Sequence, residues 1–359
     1  MAPHSSTIKH PGGSLEILMS RFVASTQHNP YLNIAVENYL LSRPAEGEVT
    51  MYLWQNRRTV VIGQNQNPYA ECDVALLEEE GGYVMRRRTG GGAVYHDLGN
   101  INFSFIAPND LYDQQRQFSV IQRAVEDFGL HTVLSGRNDI LVDCSKGVDG
   151  RAVGQSDDQV LRKFSGNAFS RGSHQRLHHG TILIRTDVAD LQRYLRVKPA
   201  KLQKHGVASV QSRVVNLSEL VPDITAQSIV PHLVEAFKNE YGAPLDTLSF
   251  DDLTALPEVK DLAAHFASPE WKYGRWQQFT AQQSAQFGWG GVELSVKVDE
   301  ASHRITDIEV ATDSLSTSLV ESAHRLFVGA DTRVCPEIPA DMPETERQML
   351  ADLCTLLYQ

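Results

Sequence analysis

"YVMRRRTGGGAVYHDLGNINFSFIA", residues 83–107, holds two strand patterns separated by three glycines and a short polar turn. "YVMRRRT" (83–89) and "INFSFIA" (101–107) lie too close for a crossover helix, which takes a dozen or more residues. The same crowding recurs downstream in "HTVLS", "DILVD", "KFSGNAF" and "HGTILIRT", four strand patterns in close succession. A doubly wound parallel sheet is therefore excluded. The pattern predicts an α+β fold: a mixed, largely antiparallel sheet with helices packed on it. "NPYLNIAVENYLL" (29–41) reads as a helix with Asn29 as its N-cap and Pro30 at its first position. Further helices are expected over 70–80, stopped by Gly81 and Gly82, and over 113–129. "LEILMSRF" (15–22) reads as a strand, and "MYLWQN" (51–56) and "TVVIG" (59–63) are near enough for a hairpin.

Past residue 245 the texture changes. "VELSVKVDEASHRITDIEVATD" (292–313) alternates on both arms of a hairpin, and helical stretches follow over 314–328 and 343–357. Two units are expected, a catalytic domain over 1–245 and a small α+β accessory domain over 246–359, with a linker and hinge near 241–249. The chain has 359 residues, 42% hydrophobic and 21% charged, as befits a soluble globular protein. Its net charge of -11 excludes a broad electrostatic grip on nucleic acid. Four cysteines without metal spacing (72, 144, 335, 354) point to a reducing compartment and no disulfide framework. No run is long enough to cross a membrane. The cytoplasm is expected, with a mitochondrial leader left open by the acid-free N-terminus.

Against this acidic background Arg86, Arg87 and Arg88 stand beside Gly90, Gly91 and Gly92. Guanidinium groups recognise phosphate and carboxylate, and glycines let backbone N–H groups approach an anion closely. Strand alternation turns Arg87 away from Arg86 and Arg88. The other reading of such a run is a solvated charge cluster before a flexible turn. Lys163, in "RKFSGNAFS" (162–170), is either a surface lysine or an ammonium beside open backbone at Ser165–Ala168, where it would bridge a carboxylate and a phosphate. Asn138 and Asp139 in "SGRNDILVD" could hydrogen-bond a base or ribose, bind a divalent cation, or form a turn and cap. His178 and His179 must face opposite ways on a strand, so they do not share one metal; His179 lines a cleft or is a satisfied structural histidine. Trp54 is core or ligand wall. No cysteine is marked as a nucleophile.

Taken together, "NPYLNIAVENYLL", "TVVIGQNQNPYAEC", "RRRTGGGAVYHDLGNINFSF", "SGRNDI", "KFSGNAF", "HHGTILI", "GVASVQSRVVNL" and "FGWGGVELSVKV" closely resemble, in order, the lipoate–protein ligase A family. The resemblance implies a biotin/lipoate ligase-like catalytic domain and a small accessory domain. It implies that lipoate and Mg-ATP give lipoyl-adenylate and pyrophosphate, after which a lysine of an acceptor lipoyl domain takes the lipoyl group and releases AMP. By position, Arg87 and the run Gly92, Ala93, Val94 and Tyr95 match the family's ATP contacts. Lys163 matches its essential lysine, which touches both lipoate and nucleotide. Trp54 and His179 are implied for the lipoyl pocket, Asn138 and Asp139 for the adenylate, with Asp139 the residue for Mg²⁺. Implied acceptors are the E2 subunits of 2-oxoacid dehydrogenases and the glycine-cleavage H protein; whether octanoate is also taken stays open.

Two features depart from the family pattern. "CSKGVDGRAVGQSDDQVL" (144–161) is an extra segment suited to a loop over the site, and Arg88 stands where a small polar residue is usual. The rival readings are an acyltransferase, whose cysteine would belong near the "GRND" stretch that here carries Asn138 and Asp139, and a catalytically silent binding protein on the same fold.

Overall fold

The computed structural model describes residues 17–136, 138–145, 160–196, 214–242, 244–273, 281–299, 302 and 304–358. Its strands are, in chain order, β1 (Met19–Ala24), β2 (Glu48–Trp54), β3 (Thr59–Ile62), β4 (Tyr83–Arg86), β5 (Val94–His96), β6 (Asn100–Pro108), β7 (Thr132–Ser135), β8 (Asp139–Asp143), β9 (Leu161–Arg171), β10 (Gln175–Leu183), β11 (Leu245–Thr247), β12 (Ala281–Phe287), β13 (Gly290–Asp299) and β14 (Arg304–Thr312). Eight of them form one sheet in the order β11-β1-β2-β6-β10-β9-β8-β7. Only β11–β1 and β1–β2 pair in parallel; every other pairing in that sheet is antiparallel. The expected mixed, largely antiparallel sheet is what forms.

Both faces of this sheet are covered, and alternation decides which side chain goes where. Met51, Phe105, His178 and Phe169 are direct cross-strand neighbours on one face. There they pack with Phe118, Ile121 and Val125 of the helix Gln114–Glu126 and with Ile229, Leu233 and Phe237 of the helix Ala226–Tyr241. Tyr52, Ser104 and His179 form the matching row on the opposite face, as do Trp54, Asn102 and Thr181. That second face receives the helix Pro30–Ser42. Asn29 caps it by accepting from the backbone N–H groups of Tyr31 and Leu32, and Pro30 occupies its first turn. Nearly every side of this helix is buried, because the helix Pro257–Ala267 packs on its outer flank.

Residues 51–56 and 59–63 do not form a hairpin. β2 joins the large sheet between β1 and β6, while β3 is the centre of a second sheet, β4-β3-β5, pairing in parallel with β4 and antiparallel with β5. The residues between them turn the chain out of one sheet and into the other; Arg58 takes a positive φ of 36° in that turn. The helix expected over 70–80 is two short ones, Pro68–Glu71 and Val74–Glu79, because the Asp73 side chain accepts the Leu76 N–H and starts a new cap. β4 ends at Arg86, so Arg87 and Arg88 belong to the loop and not to the strand.

β11 lies at the edge of the large sheet, parallel to β1, so the stretch around 245 is part of the catalytic sheet and not a free tether. Phe250, Val259 and Phe266 pack with Ile34, Val36 and Leu40 of the first helix. β12, β13 and β14 make a separate antiparallel meander whose core comes from Leu319, Ala323 and Phe327 on one helix and Leu350 and Leu353 on another. The 292–313 hairpin is present as β13 and β14, with β12 the strand that pattern reading had missed. This meander touches the glycine loop directly. Gly91 N–H donates to Ser314 O at 3.0 Å, and Thr312 N–H donates to Asn65 O at 3.0 Å. Gly90 faces Ser314 so closely that a Cβ would sit 2.3 Å from its carbonyl oxygen, which is why no larger residue fits there.

Candidate active site

One pocket lies between the large sheet and the β4-β3-β5 sheet, with about 200 Å³ of free space. The large sheet supplies Trp54, Asn102, His179, Gly180 and Thr181, then Lys163, Gly166 and Ala168 farther along. The smaller sheet and its glycine loop supply Val61, Met85, Arg87, Gly91, Gly92, Val94 and His96. Ile34 closes one side from the first helix, and Asn138 stands near Lys163. The three segments quoted for their chemistry, around 87, 138 and 163, thus meet in one place although their strands belong to two sheets.

Arg87 points into this pocket while Arg86 and Arg88 point away, the alternation expected of them. Arg87 is 6% exposed. Its Nε donates to Thr89 Oγ1 at 3.0 Å, Nη2 to Gly90 O and Gly92 O at 2.8 Å each, and Nη1 to Val61 O at 3.2 Å. Among the described residues no carboxylate touches it. Burial alone pulls its pKa down to about 10, against a smaller upward pull from Glu37, so the group remains a cation at neutral pH. A buried guanidinium held by carbonyls, with no counter-ion in contact and one Nη1 hydrogen free, is a standing positive potential aimed at whatever enters.

Arg86 does something else. It donates to the carbonyls of Gly63, Gln64 and Gln66 and to those of Trp271 and Lys272, tying the loop after β3 to the helix Pro269–Tyr273. Arg88 lies over the rings of Phe266 (5.5 Å) and Trp271 (5.8 Å). The arginine run therefore puts one side chain in the pocket lining and two in contacts outside it.

Lys163 is one-third exposed (33%) and pairs with Asp139 at 2.6 Å. Its amine passes over Gly166, where a Cβ would come within 2.8 Å of Nζ. The pairing between β8 and β9 slips at Ile140 and Leu141, and this bulge sets Lys163 opposite Leu141. Asp139 is thus engaged by the lysine instead of standing open for a cation, and among the described residues no three His, Cys, Asp or Glu side chains gather as a metal site. Asn138 ties its own turn to β9, its carbonyl accepting from Asn167 N (2.9 Å) and its amide donating to Asn167 O (3.2 Å).

Of the run 92–95, Gly92, Ala93 and Val94 line the pocket, and a Cβ on Gly92 would meet nothing within 4 Å. Tyr95 turns its back. Its ring is buried with Val60, Leu77 and Tyr194 and its hydroxyl donates to Asp190 at 3.2 Å, because alternation along β5 puts it opposite Val94 and His96. The glycine N–H groups are not all free for an anion either, since that of Gly91 is taken by Ser314.

Trp54 and His179 belong to a buried chain of polar contacts that sequence reading had missed. The Trp54 indole donates to Ser104 Oγ (3.0 Å), and the Ser104 hydroxyl donates to Glu37 (2.5 Å). Glu37 bonds His179 Nδ1 (2.8 Å), and His179 Nε2 bonds the Thr89 hydroxyl (2.8 Å), to which Arg87 donates. Glu37 is 1% exposed. A carboxylate so deep needs such partners, and through His179 and then Thr89 it is linked to Arg87, whose charge it balances at a distance. Its sequence signal was a lone acid inside the apolar helix "NIAVENYLL". His178, on the other face, is held among Phe103, Phe105, Phe118 and Phe169 and bonded to Asn167, a structural histidine whose pKa burial drives far down. Cys144 is half-buried, its thiol pushed up by burial, and it is absent from the pocket lining.

The family model of the lipoyl protein ligase A/B catalytic domain matches residues 29–238. A protein of Bdellovibrio bacteriovorus named lipoate-protein ligase A is 36% identical over 295 residues, 82% of this chain and 83% of its own. One of the same name from Psychrobacter cryohalolentis is 34% identical over 308 residues, 84% of this chain and 85% of its own. Among solved structures, LipL1 of P. falciparum in complex with lipoate superposes with a TM-score of 0.74 at 26% identity, over 94% of this chain and 99% of that one. A lipoate-protein ligase A bound with ATP shares the fold at a TM-score of 0.54, covering 72% of this chain and 99% of its own. Matched through its catalytic core and aligned with these relatives over most of its length, the chain belongs to the lipoate–protein ligase A family.

Proposed function

We propose that the pocket between the two sheets is where lipoate is activated by ATP, and that Lys163 and Arg87 carry that step. The activity follows from family membership: the chain is an ATP-dependent ligase that joins lipoate to protein. The single observation behind the assignment of residues is that the two cations, from different sheets, reach one partly apolar pocket and leave one guanidinium N–H and a movable ammonium for ligands.

The first step brings a carboxylate oxygen to the α-phosphorus of ATP, forming the acyl-adenylate and expelling pyrophosphate. Two anions must meet, and negative charge builds on the phosphoryl oxygens. Cations held at that point lower the barrier without any covalent role. Lys163 leaves Asp139 to stand between carboxylate and α-phosphate; Arg87 cannot move and supplies constant potential. Gly92, open toward the pocket, admits phosphate oxygens close to the backbone. In the second step a lysine amine of the acceptor attacks the acyl carbonyl and AMP leaves. Mg²⁺ would come as a companion of the ATP phosphates, where it would screen their charge; Asp139, once Lys163 has left it, would be its protein oxygen.

Acceptor lipoyl domains of E2 subunits and the glycine-cleavage H protein are the proposed partners. A structure of an archaeal bi-partite lipoate protein ligase is described together with its E2 lipoyl domain, which supports that class of partner. Residues 246–273 pack with the catalytic sheet, so we place the accessory domain at 281–358 instead of from 246. We propose a cytoplasmic location on the strength of the four free cysteines; separately, no helix among the described residues is long and apolar enough to cross a membrane.

Purified protein incubated with ATP, Mg²⁺ and radiolabelled lipoate, with and without an acceptor domain, tests this reading. Lipoyl-adenylate formed only with ATP, then label on the acceptor, is expected. Transfer only from supplied adenylate would make the protein a transferase, and no turnover with either would make it a binder.

A further inference from the structure

All four cysteines carry free thiols, but two of them meet. Cys335 is exposed, whereas Cys354 is buried in the core of the β12-β13-β14 unit. Their side chains are in hydrogen-bond contact, thiol to thiol. Cys72 and Cys144 lie elsewhere, one against the small sheet and one against the large sheet. Both members of the 335–354 pair are absent from the pocket lining.

Local structure holds Cys335 at this place. Gly329 N–H donates to Ile305 O at 2.7 Å, and Ile305 N–H donates to Ala330 O at 3.0 Å, which fastens the chain to the edge strand β14. Asp331 then accepts from the Arg333 backbone N–H (2.9 Å) and from its guanidinium (2.8 and 2.7 Å). Val334 N–H donates to Asp331 O at 3.2 Å and closes the turn. Beyond the thiol, Pro336 and Pro339 restrict the backbone, and Ile338 and Met342 pack onto the same core as Cys354. Cys354 is fixed from its own side. It lies in the last turn of the helix Glu344–Leu357, on the face that Leu350 and Leu353 bury completely.

The two thiols differ in character. Burial first, and then the Cys335 side chain, push the Cys354 thiol up to about 12, so in the reduced chain it is protonated. Cys335 is the sulfur that a solute reaches. Once Cys335 is bonded to another sulfur it can carry no thiolate, and its share of the upward pull on Cys354 is gone.

We propose that Cys335 and Cys354 are a redox modification site, closing reversibly into a disulfide by exchange with a small-molecule disulfide of the glutathione type. The Cys335 thiolate attacks one sulfur of that molecule, breaks its S–S bond and releases one thiol. The Cys354 sulfur then attacks the mixed disulfide on Cys335, forms the internal bond and expels the second thiol. Two electrons and two protons pass from the protein to the small disulfide, which becomes two thiols. Excess small thiol drives the exchange backward, so the bond is transient in a reducing compartment. When closed it spans about twenty residues and ties the last helix to the turn at 331–334. The unit it stiffens is the one whose Ser314 carbonyl holds the Gly91 N–H.

The test treats the full-length protein with glutathione disulfide, then reads intact mass, a non-reduced peptide map and the unfolding temperature. A product lighter by two hydrogens is expected, with residues 335 and 354 in one cross-linked peptide and full reversal by excess glutathione. Its unfolding temperature should rise by about 5 °C. Cys354→Ser should stop at the mixed disulfide, heavier by one glutathione on Cys335, and Cys354→Ala replaces it where a buried serine fails to fold. Cys335→Ser, a surface change, should form no cross-link. A glutathione adduct that persists on Cys335 of the parent, cross-links to Cys72 or Cys144 instead, or four thiols that stay free would overturn the proposal. A 335–354 bond with no rise in unfolding temperature would overturn its role in fixing the helix.

Discussion

Lys163→Ala separates a catalytic lysine from a structural one, because the structure sets very different magnitudes for the two. The ammonium and its partner Asp139 are 33% and 34% exposed, so solvent screens their attraction. Pairs of this kind stabilise a fold by about 0–1 kcal/mol. Removing the side chain leaves no sealed cavity, since it lies over Gly166 in the open pocket. The unfolding temperature should therefore fall by about 3 °C at most. The cost to chemistry is far larger. A preorganised charge facing the developing phosphoryl charge is worth on the order of 3 kcal/mol, a loss of two orders of magnitude or more in rate. Lipoate-dependent ATP–pyrophosphate exchange, with folding followed by circular dichroism, reads both. Gly166→Ala gives the companion measurement: its Cβ would come within 2.8 Å of the lysine Nζ and displace the amine without removing it. Near-normal exchange by a folded Lys163→Ala protein would remove the lysine from the mechanism.

Arg86 is expected to behave in the opposite way. Arg86→Met strips donors from the carbonyls of Gly63, Gln64, Gln66, Trp271 and Lys272, and should cost about 3–5 kcal/mol in urea unfolding with the slope unchanged; a loss below about 1 kcal/mol would show that those carbonyls find other partners. The buried neutral histidines set an acid dependence. His96 has its pKa lowered by burial to about 3, and burial lowers that of His178 as well. The unfolded chain therefore binds more protons as pH drops below about 6.5, and stability falls from there toward pH 3 by up to about 1.4 kcal/mol per pH unit for each ring. Melting curves between pH 7 and pH 4 should be visibly flatter for His96→Phe than for the parent, and parallel curves would count against a neutral His96.

Much of the site was legible in the chain because local rules carried it. Asn29 before Pro30 announced a helix start that the structure keeps, and alternation around Arg87 separated it from Arg86 and Arg88 even though the strand stops at Arg86. Lys163 beside small residues marked an open stretch of backbone, and the pocket is there. Other features depend on partners far away in sequence. Tyr95 looked like part of the glycine run until β5 paired with β3 and turned its ring into a separate core. Glu37 had no visible role until His179, 142 residues later, came within 2.8 Å.

Periodicity, caps and the crowding of strands determined the fold class, the helix starts and the cluster of cationic residues, since each is an energetic preference expressed within a few neighbouring residues. Which strands pair was settled only by packing: β2 and β3, adjacent in the chain, part into two sheets across the turn at Arg58. That separation opens the pocket and brings Arg87 and Lys163 to it from different walls. No stretch of sequence encodes it alone, because burial is a property of distant residues brought together.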